Sequence, residues 1–396
     1  MEIKNTRALK KHNKNAVLTE IINRQPISRS DLSSHLEVSH TTVSNLINEL
    51  IKEGFIVEKR ADSTGGRPPK VLSFKGEHKY IISTIFKERL VLIGIFNMNS
   101  KLLEKNIIKV KGDSFVNLSI RISDEIDKIL KQYEINKNQI EGMGVSIPGI
   151  YQKQSDRVIK SNIGYLNEKH IKENLKNNIN FTDLYIENSG QVEAFYEWND
   201  KFLRSYNNLT YIFAGDHITS GNIVDKKLYT GSFNKAGAIE HLIVKPDGKE
   251  CSCGNKGCLN TIISLKAVED SFNESLWKGA ETNIDEMFDS PYVFNKIIKA
   301  YLQQDPLSQK IIDHALKYFT IGLSNIINIL DPEIIVLGGL FDDFNETMLD
   351  NLLESLKNKT KYSIDSLPIL KIREKEKNYP LKAVYSYIFQ QWKTNI

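Results

Sequence analysis

Cysteine is scarce in this chain of 396 residues: there are three, and all fall within eight positions, at Cys251, Cys253 and Cys258. Three thiols cannot build a disulfide framework for a protein of this length, so a reducing, cytoplasmic setting is expected. Long apolar runs are also missing. No stretch approaches the roughly 20 apolar residues that a membrane span requires, so no membrane partner is expected. The N-terminal "MEIKNTRALKKHNKN" is basic and polar, and no apolar segment follows it to suggest a secretory signal. Tandem repeats and low-complexity tracts are absent, which argues against solenoid and disordered classes. A hydrophobic content of 40% and a charged content of 26% are those of an ordinary globular chain of two or three domains.

Charge is unevenly spread. Residues 1–76 hold 13 Lys/Arg and 8 Asp/Glu, a balance of +5, within a chain whose net charge is +4. The remainder holds 53 − 13 = 40 basic and 49 − 8 = 41 acidic residues, a balance of −1. The positive excess therefore sits in the first fifth, as expected for a segment that meets a polyanion.

The residues of that fifth make the partner more specific. Val17, Leu18, Ile21 and Ile22 have helical spacing. "ISRSDLSSHL" opens a second helix with Ser28 and Asp31 in a capping-box pattern. After the turn "EVS", Ser39 caps a third helix in which Val43, Leu46, Ile47, Leu50 and Ile51 form an apolar stripe. Its other face reads His40, Thr41, Thr42, Ser44, Asn45 and Asn48: short, polar and largely uncharged. Such side chains can read base edges in a major groove without repelling phosphate. Two β-prone runs, Phe55–Val57 and Val71–Phe74, then flank "GGRPP", which predicts a winged hairpin. Residues 1–76 thus predict a winged helix-turn-helix that binds double-stranded DNA. Ser39, His40, Thr41, Thr42, Ser44 and Asn45 belong to the reading helix, Arg67 enters the minor groove, and Lys59, Arg60 and Lys70 hold phosphates.

From Tyr80 onward the pattern changes. "YIISTIF", "LVLIGIFNM" and "NIIKVKG" predict successive strands, "SFVNLSIRISDEIDKILKQY" a helix, and "IEGMGVSIPGI" a buried strand. "DLYIENSGQVEAFYEW" predicts a strand entering a helix and "LTYIFAGDHITSGNIVDKKLYTG" a hairpin. "HALKYFTIGLSNIINIL" and "DPEIIVLGGLF" predict a helix and a strand ending in Gly338–Gly339. The alternation implies a two-lobed α/β body. The cysteines read Cys-x-Cys-x4-Cys, with His241 just upstream. Three thiolates and an imidazole suit structural Zn2+, a closed site with Zn–S near ~2.3 Å. The predicted metal ligands are His241, Cys251, Cys253 and Cys258.

"GMGVSIPGI", "YIENSGQVEAF", "HLIVKPDGKECSCGNKGCLN" and "DPEIIVLGGLF" resemble the ROK family of repressors and sugar kinases. The N-terminal segment resembles the winged helix-turn-helix of its repressor branch. The resemblance implies a ribonuclease-H-like, actin-like body at 77–396. One lobe would span about 77–190 plus the C-terminal helix, the other about 191–380, with sugar and ATP between them. It also implies a homodimer on a palindromic operator.

The chain departs from the kinase pattern of that family. Ser189 stands where the resemblance places the catalytic Asp, and a serine hydroxyl is too weak a base at neutral pH. "ISTIFKERLV" lacks the glycine and aspartate of the first phosphate loop, and "AGDHITSGN" crowds the second. Ala238 and Asn260 replace two sugar-binding glutamates. No catalytic residue is expected. The expectation is a repressor of carbohydrate-utilisation genes whose small polar effector, a sugar for example, meets Asn162, Asn188, Ser189, His241 and Asn260; the alternatives are a sugar kinase carrying a DNA-binding domain and a repressor that acts without effector.

Overall fold

The computed structural model describes residues 2–60, 70–179, 183–284, 293–360 and 366–395. Helices α1 (Glu2–Arg24), α2 (Arg29–Leu36) and α3 (His40–Lys52) precede a hairpin of β1 (Ile56–Arg60) and β2 (Lys70–Phe74). The capping signals act as the sequence implies. Ser28 accepts a hydrogen bond from the Asp31 amide at 3.1 Å, and Ser39 accepts one from the Thr42 amide at 3.3 Å. Each satisfies an amide that the first helical turn leaves without a partner. Val43, Leu46, Ile47 and Leu50 of α3 are buried in one cluster with Val17, Leu18, Ile21 and Leu32.

The body repeats one topology twice. Strands β3 (Tyr80–Phe86), β4 (Leu90–Asn97), β5 (Leu102–Lys109), β6 (Ile140–Ile147) and β9 (Leu184–Asn188) form a sheet in the order β5-β4-β3-β6-β9. β7 (Ile150–Gln152) and β8 (Arg157–Lys160) form a hairpin beside it. The second sheet orders β10 (Leu209–Ala214), β11 (Ile218–Val224), β12 (Lys227–Tyr229), β13 (Ile334–Gly339) and β14 (Ile369–Ile372) as β12-β11-β10-β13-β14. In both sheets the first three strands are antiparallel and the last two are added in parallel. The segment expected as one hairpin is thus a three-stranded meander. The third strand starts at Leu102, earlier than "NIIKVKG" suggests, because Leu102 pairs with Phe96.

Helices α4 (Phe115–Gln132) and α5 (Ile171–Lys176) cover the first sheet. α7 (Asn260–Ile263), α8 (Leu265–Trp277), α9 (Val293–Leu302), α10 (Pro306–Leu330) and α11 (Glu346–Thr360) cover the second. Between the sheets lie α6 (Ser189–Tyr196) and the C-terminal α12 (Tyr379–Asn395). α6 crosses β11 closely. A Cβ on Gly221 would stand 2.4 Å from the Gly190 carbonyl, and one on Gly190 2.3 Å from that of Ser220. Gly221, within the "AGDHITSGN" stretch, allows this backbone approach.

The head shares its core with the body. One buried cluster runs from Val17 through Phe55 and Phe74 to Trp392, Tyr385 and Val336. The Trp392 ring meets Phe55 edge-on at 5.0 Å and Phe389 at 5.4 Å. The Asn15 amide donates to the Lys393 carbonyl. α12 therefore touches both the head and the strands of the first lobe.

Candidate functional site

Three features bear on function: the exposed side of α3, the cysteine knuckle and the cleft between the lobes.

On α3, Ser39, His40, Thr41, Asn45 and Asn48 are exposed, while Thr42 and Ser44 are half-buried. Arg29 joins the reading helix to the hairpin. It donates to Asn48 Oδ1 at 3.0 Å and to Glu58 Oε1 at 2.8 Å, and Lys70 Nζ reaches Glu58 Oε2 at 2.9 Å. Hydrogen bonds from Lys70 and Arg29 hold the Glu58 carboxyl below its ordinary range. Lys70 keeps further donors for an outside acceptor, because an ammonium has three. Arg60 is exposed on the same side of the hairpin, whereas Lys59 faces the groove toward the body, since alternate residues of a strand point to opposite faces. Arg67 lies outside the described residues.

In the knuckle, Cys251 and Cys258 are buried and Cys253 is half-buried, and none is in a disulfide. His241, at the end of the short turn Ile239–His241, approaches Cys251 Sγ through Nδ1 at 3.6 Å. Cys253 and Cys258 Sγ are 3.5 Å apart, and the four ligand atoms all lie within 4.8 Å of one another. A tetrahedral ion with metal–sulfur bonds of ~2.3 Å places its sulfurs about 3.8 Å apart. The donor set and its spacing fit a metal ion. Burial, together with the neighbouring thiols, pushes the Cys258 thiol up to about 12, so metal loading must displace that proton. Gly257 makes the loop possible. Its φ is +67°, and a Cβ there would sit 1.5 Å from the Lys245 carbonyl oxygen. A second grouping, Asp156, His170 and Glu173, has a structural explanation. Asp156 accepts the amides of Lys172 and Glu173 at the start of α5.

In the cleft, Glu187 at the end of β9 is 1% exposed. Its carboxylate accepts hydrogen bonds from Lys153 Nζ at 2.5 Å, Asn234 Nδ2 at 2.9 Å and Tyr387 Oη of α12 at 3.1 Å. Around it, Gly149, Asn188, Gln191, Ser220, Asn234 and Glu240 line a small cavity. Among the described residues, three buried acceptors there have no partner: Gln191 Oε1, Asn234 Oδ1 and Glu240 Oε2. Burial pushes the Glu240 carboxyl up to about 7. Such unsatisfied acceptors call for a donor-bearing ligand or for water.

The effector residues predicted from sequence are only partly gathered here. Asn188 lines the cavity, but its side chain is committed. Its Oδ1 accepts the Gly190 and Gln191 amides at 2.8 and 3.3 Å, and its Nδ2 donates to the Gly149 carbonyl at 2.8 Å. Asn260 Oδ1 accepts the Ile218 amide at 2.9 Å. Asn162 accepts from Ser252 of the cysteine loop at 3.4 Å. Ser189 opens α6 and is half-buried. His241 belongs to the metal-type cluster. Gln191, Asn234 and Glu240 were missed. Glu240 had a readable signal, a carboxylate beside the knuckle histidine, whereas Asn234 sits in a loop without pattern.

In the stretch that the resemblance equates with the first phosphate loop, the turn after β3 is closed by Lys87 N donating to Leu90 O at 2.9 Å, and Tyr165 Oη donates to the Lys87 carbonyl at 2.6 Å. In the next turn the Gly215 carbonyl accepts the Leu265 amide at 2.8 Å. Half-buried His217 beside it has a buried, unpartnered Nδ1, and burial lowers its basicity. Among the described residues no helix is long and apolar enough to cross a membrane.

Comparison with known proteins agrees with this architecture. The ROK family model matches residues 92–377, and the MarR family model matches residues 16–68. The xylose repressor of Caldicellulosiruptor bescii is 29% identical over 366 residues, covering 89% of each chain. A crystal structure of a ROK family transcriptional regulator, a homologue of the Escherichia coli MLC protein, superposes with a TM-score of 0.83. It is 19% identical and covers 98% of this chain and 100% of that one. The ROK hexokinase of Thermus thermophilus superposes with a TM-score of 0.62 at 18% identity, over 78% of this chain and 99% of that one. With its body matched along most of its length and the same two-lobed arrangement, the chain belongs to the ROK family.

Proposed function

We propose that the chain is a DNA-binding transcriptional repressor of sugar-utilisation genes, with residues 1–76 as reading head and residues 77–396 as sensing body. The observation that carries this reading is the exposed, uncharged polar face of α3, displayed on a winged head. Thr41 and Asn45 contact base edges, and Ser39, His40, Thr42 and Ser44 support them or meet phosphate. Arg60 and Lys70 of the wing neutralise backbone charge, which makes binding salt-dependent, and Arg67 enters the minor groove. Two copies present two heads to a palindromic operator.

The knuckle holds structural zinc. His241, Cys251, Cys253 and Cys258 would be its ligands, and the ion would fix the loop beside the cleft. The effector is a small polyhydroxylated molecule. Its hydroxyls supply the donors that Gln191, Asn234 and Glu240 lack. Ser189 offers no general base, so the bound sugar is sensed and not phosphorylated.

The signal travels through α12. Tyr387 touches Glu187 in the cleft, and Phe389 and Trp392, one turn further, pack on Phe74 and Phe55 of the head. Ligand that displaces Lys153 or Asn234 from Glu187 shifts this helix, with a coupling on the order of 1–3 kcal/mol. The test is selection of bound duplexes from a random pool, with and without a sugar panel. Recovery of a palindromic site that Asn45→Ala abolishes supports the reading. Absence of any selected sequence, or sugar-dependent ATP turnover, rejects it.

A further inference from the structure

A groove of about 1040 Å³ runs between the head and the body beside their shared core, away from the cleft. The head lines it with α1 and with the face of the hairpin that carries Val57, Lys59 and Ser73. The body lines it with the turn after β4, the segment following α6, and α12. Its charged lining is four cations, Lys59, Lys75, Arg204 and Lys393, and two acids, Glu77 and Asp200, an excess of 4 − 2 = +2.

Lys393 is the unusual member. It is 9% exposed, and among the described residues its ammonium has neither a hydrogen bond nor an ion pair. Asp200 is the opposite charge that acts on it, but the two are not in contact, and a buried ammonium without a direct partner is costly and uncommon. The nearby Asp200 is occupied. Its carboxylate accepts Ser386 Oγ and Asn199 Nδ2. Arg204 also lacks a carboxylate. Its guanidinium donates to the amide oxygens of Asn199 and Gln390, at 2.8 and 3.1 Å, and lies over the Trp198 ring. Both Leu203 and Arg204 hold left-handed backbone, with φ of 48° and 59°, which turns the chain sharply where Arg204 enters the groove. Lys59 and Lys75 stand exposed on the head side without a carboxylate partner among the described residues.

We infer that this groove is a second ligand site, separate from the sugar cleft, that takes a small dianionic phosphate ester, with Lys393 as its buried anchor and Arg204 as its second contact. Burial, with the Arg204 charge nearby, lowers the basicity of Lys393 to about 8, and a bound dianion would raise it again. Because Lys59 and Lys75 belong to the head while Arg204 and Lys393 belong to the body, an anion held by both sides fixes the angle between them. Phosphate esters would thereby modulate DNA affinity independently of the sugar.

The test uses the full-length protein with inorganic phosphate and glycerol 3-phosphate as probes and glycerol as the neutral control. Thermal melting and calorimetric titration are read for wild type, Lys393→Met and Arg204→Gln. The expected result is stabilisation of wild type by both anions and not by glycerol. Lys393→Met should weaken anion binding by at least about tenfold, the scale of a lost charge-assisted contact. Without anion it should melt no lower than wild type, because it removes an unpaired buried charge. Arg204→Gln, at an exposed position, should weaken binding by about fivefold or more and guards against a folding failure at 393. Anion-induced stabilisation that survives in both variants, or that is absent in wild type, overturns the inference. So does a Lys393→Met protein that loses affinity for duplex DNA yet binds both small anions normally, since the groove would then serve backbone phosphate.

Discussion

Replacing Trp392 with alanine tests whether α12 joins the reading head to the body. The indole is 5% exposed, packs against Phe55, Phe74 and Phe389, and donates from Nε1 to Glu141 Oε2 at 2.9 Å. Truncating a buried aromatic of this size costs about 3–5 kcal/mol, with the aromatic contacts contributing part of it. The lost hydrogen bond adds only about 1 kcal/mol, because Glu141 keeps its pairing with Lys79 and is not left as an orphaned charge. The sum is about 4–6 kcal/mol, concentrated at one seam. A head of about 70 residues has in total only about 4–10 kcal/mol of stability to draw on. Trp392→Ala should therefore split a single thermal transition into two, with the head melting first. Protease sensitivity near residue 76 should rise, and operator affinity should fall even though no DNA-facing residue is altered. Trp392→Phe keeps much of the packing and should retain one transition at a lower temperature. Calorimetry with limited proteolysis reads both variants. A Trp392→Ala protein that melts in one step at the wild-type temperature would refute the shared core as the mechanical link.

Other outcomes follow from the same structure. Gly257→Ala, which would drive a Cβ into the Lys245 carbonyl, should abolish the metal measured by elemental analysis, and chelation of wild type should lower its melting temperature toward that of the variant. Burial alone would raise the Glu376 carboxyl, but hydrogen bonds from Lys382, Lys201 and Tyr196 outweigh it and hold it at about 2, against an ordinary value of 4.5. The stability this group contributes is thus full above pH 4.5 and lost as pH falls toward 2. Glu376→Gln should be less stable than wild type at pH 7, with the gap closing over that acid range in urea titrations. Glu187→Gln, which weakens the Lys153 contact in the cleft, should alter sugar affinity while leaving the DNA selected by the head unchanged. An unaltered sugar titration would remove Glu187 from the sensing path.

Local chemistry carried much of the answer. The capping serines Ser28 and Ser39, the apolar stripe of α3 and the clustered thiols each act over a few residues, so their meaning is readable from spacing alone. The alternation of strands in the body was legible for the same reason, through the period of two that a pleated strand imposes. The helices α8, α9 and α11 drew no prediction, because their stripes are buried only by contact with α10 and the second sheet. The site was less legible than the fold. Asn188 and Asn260 looked like ligand contacts by position, but their side chains are spent on backbone amides that only the assembled fold brings within reach. Gln191 and Asn234 are 43 residues apart and meet because α6 crosses β11.

By itself the sequence determined a winged reading head, a thiolate–imidazole knuckle and an α/β body, since each is written in neighbouring residues. Tertiary structure decided the rest. It set α12 as a wedge between head and lobe, left three acceptors unpaired in the cleft, and buried Lys393 in a groove between two units. Those features depend on distances across hundreds of residues, which hydrophobic packing fixes and local spacing does not encode.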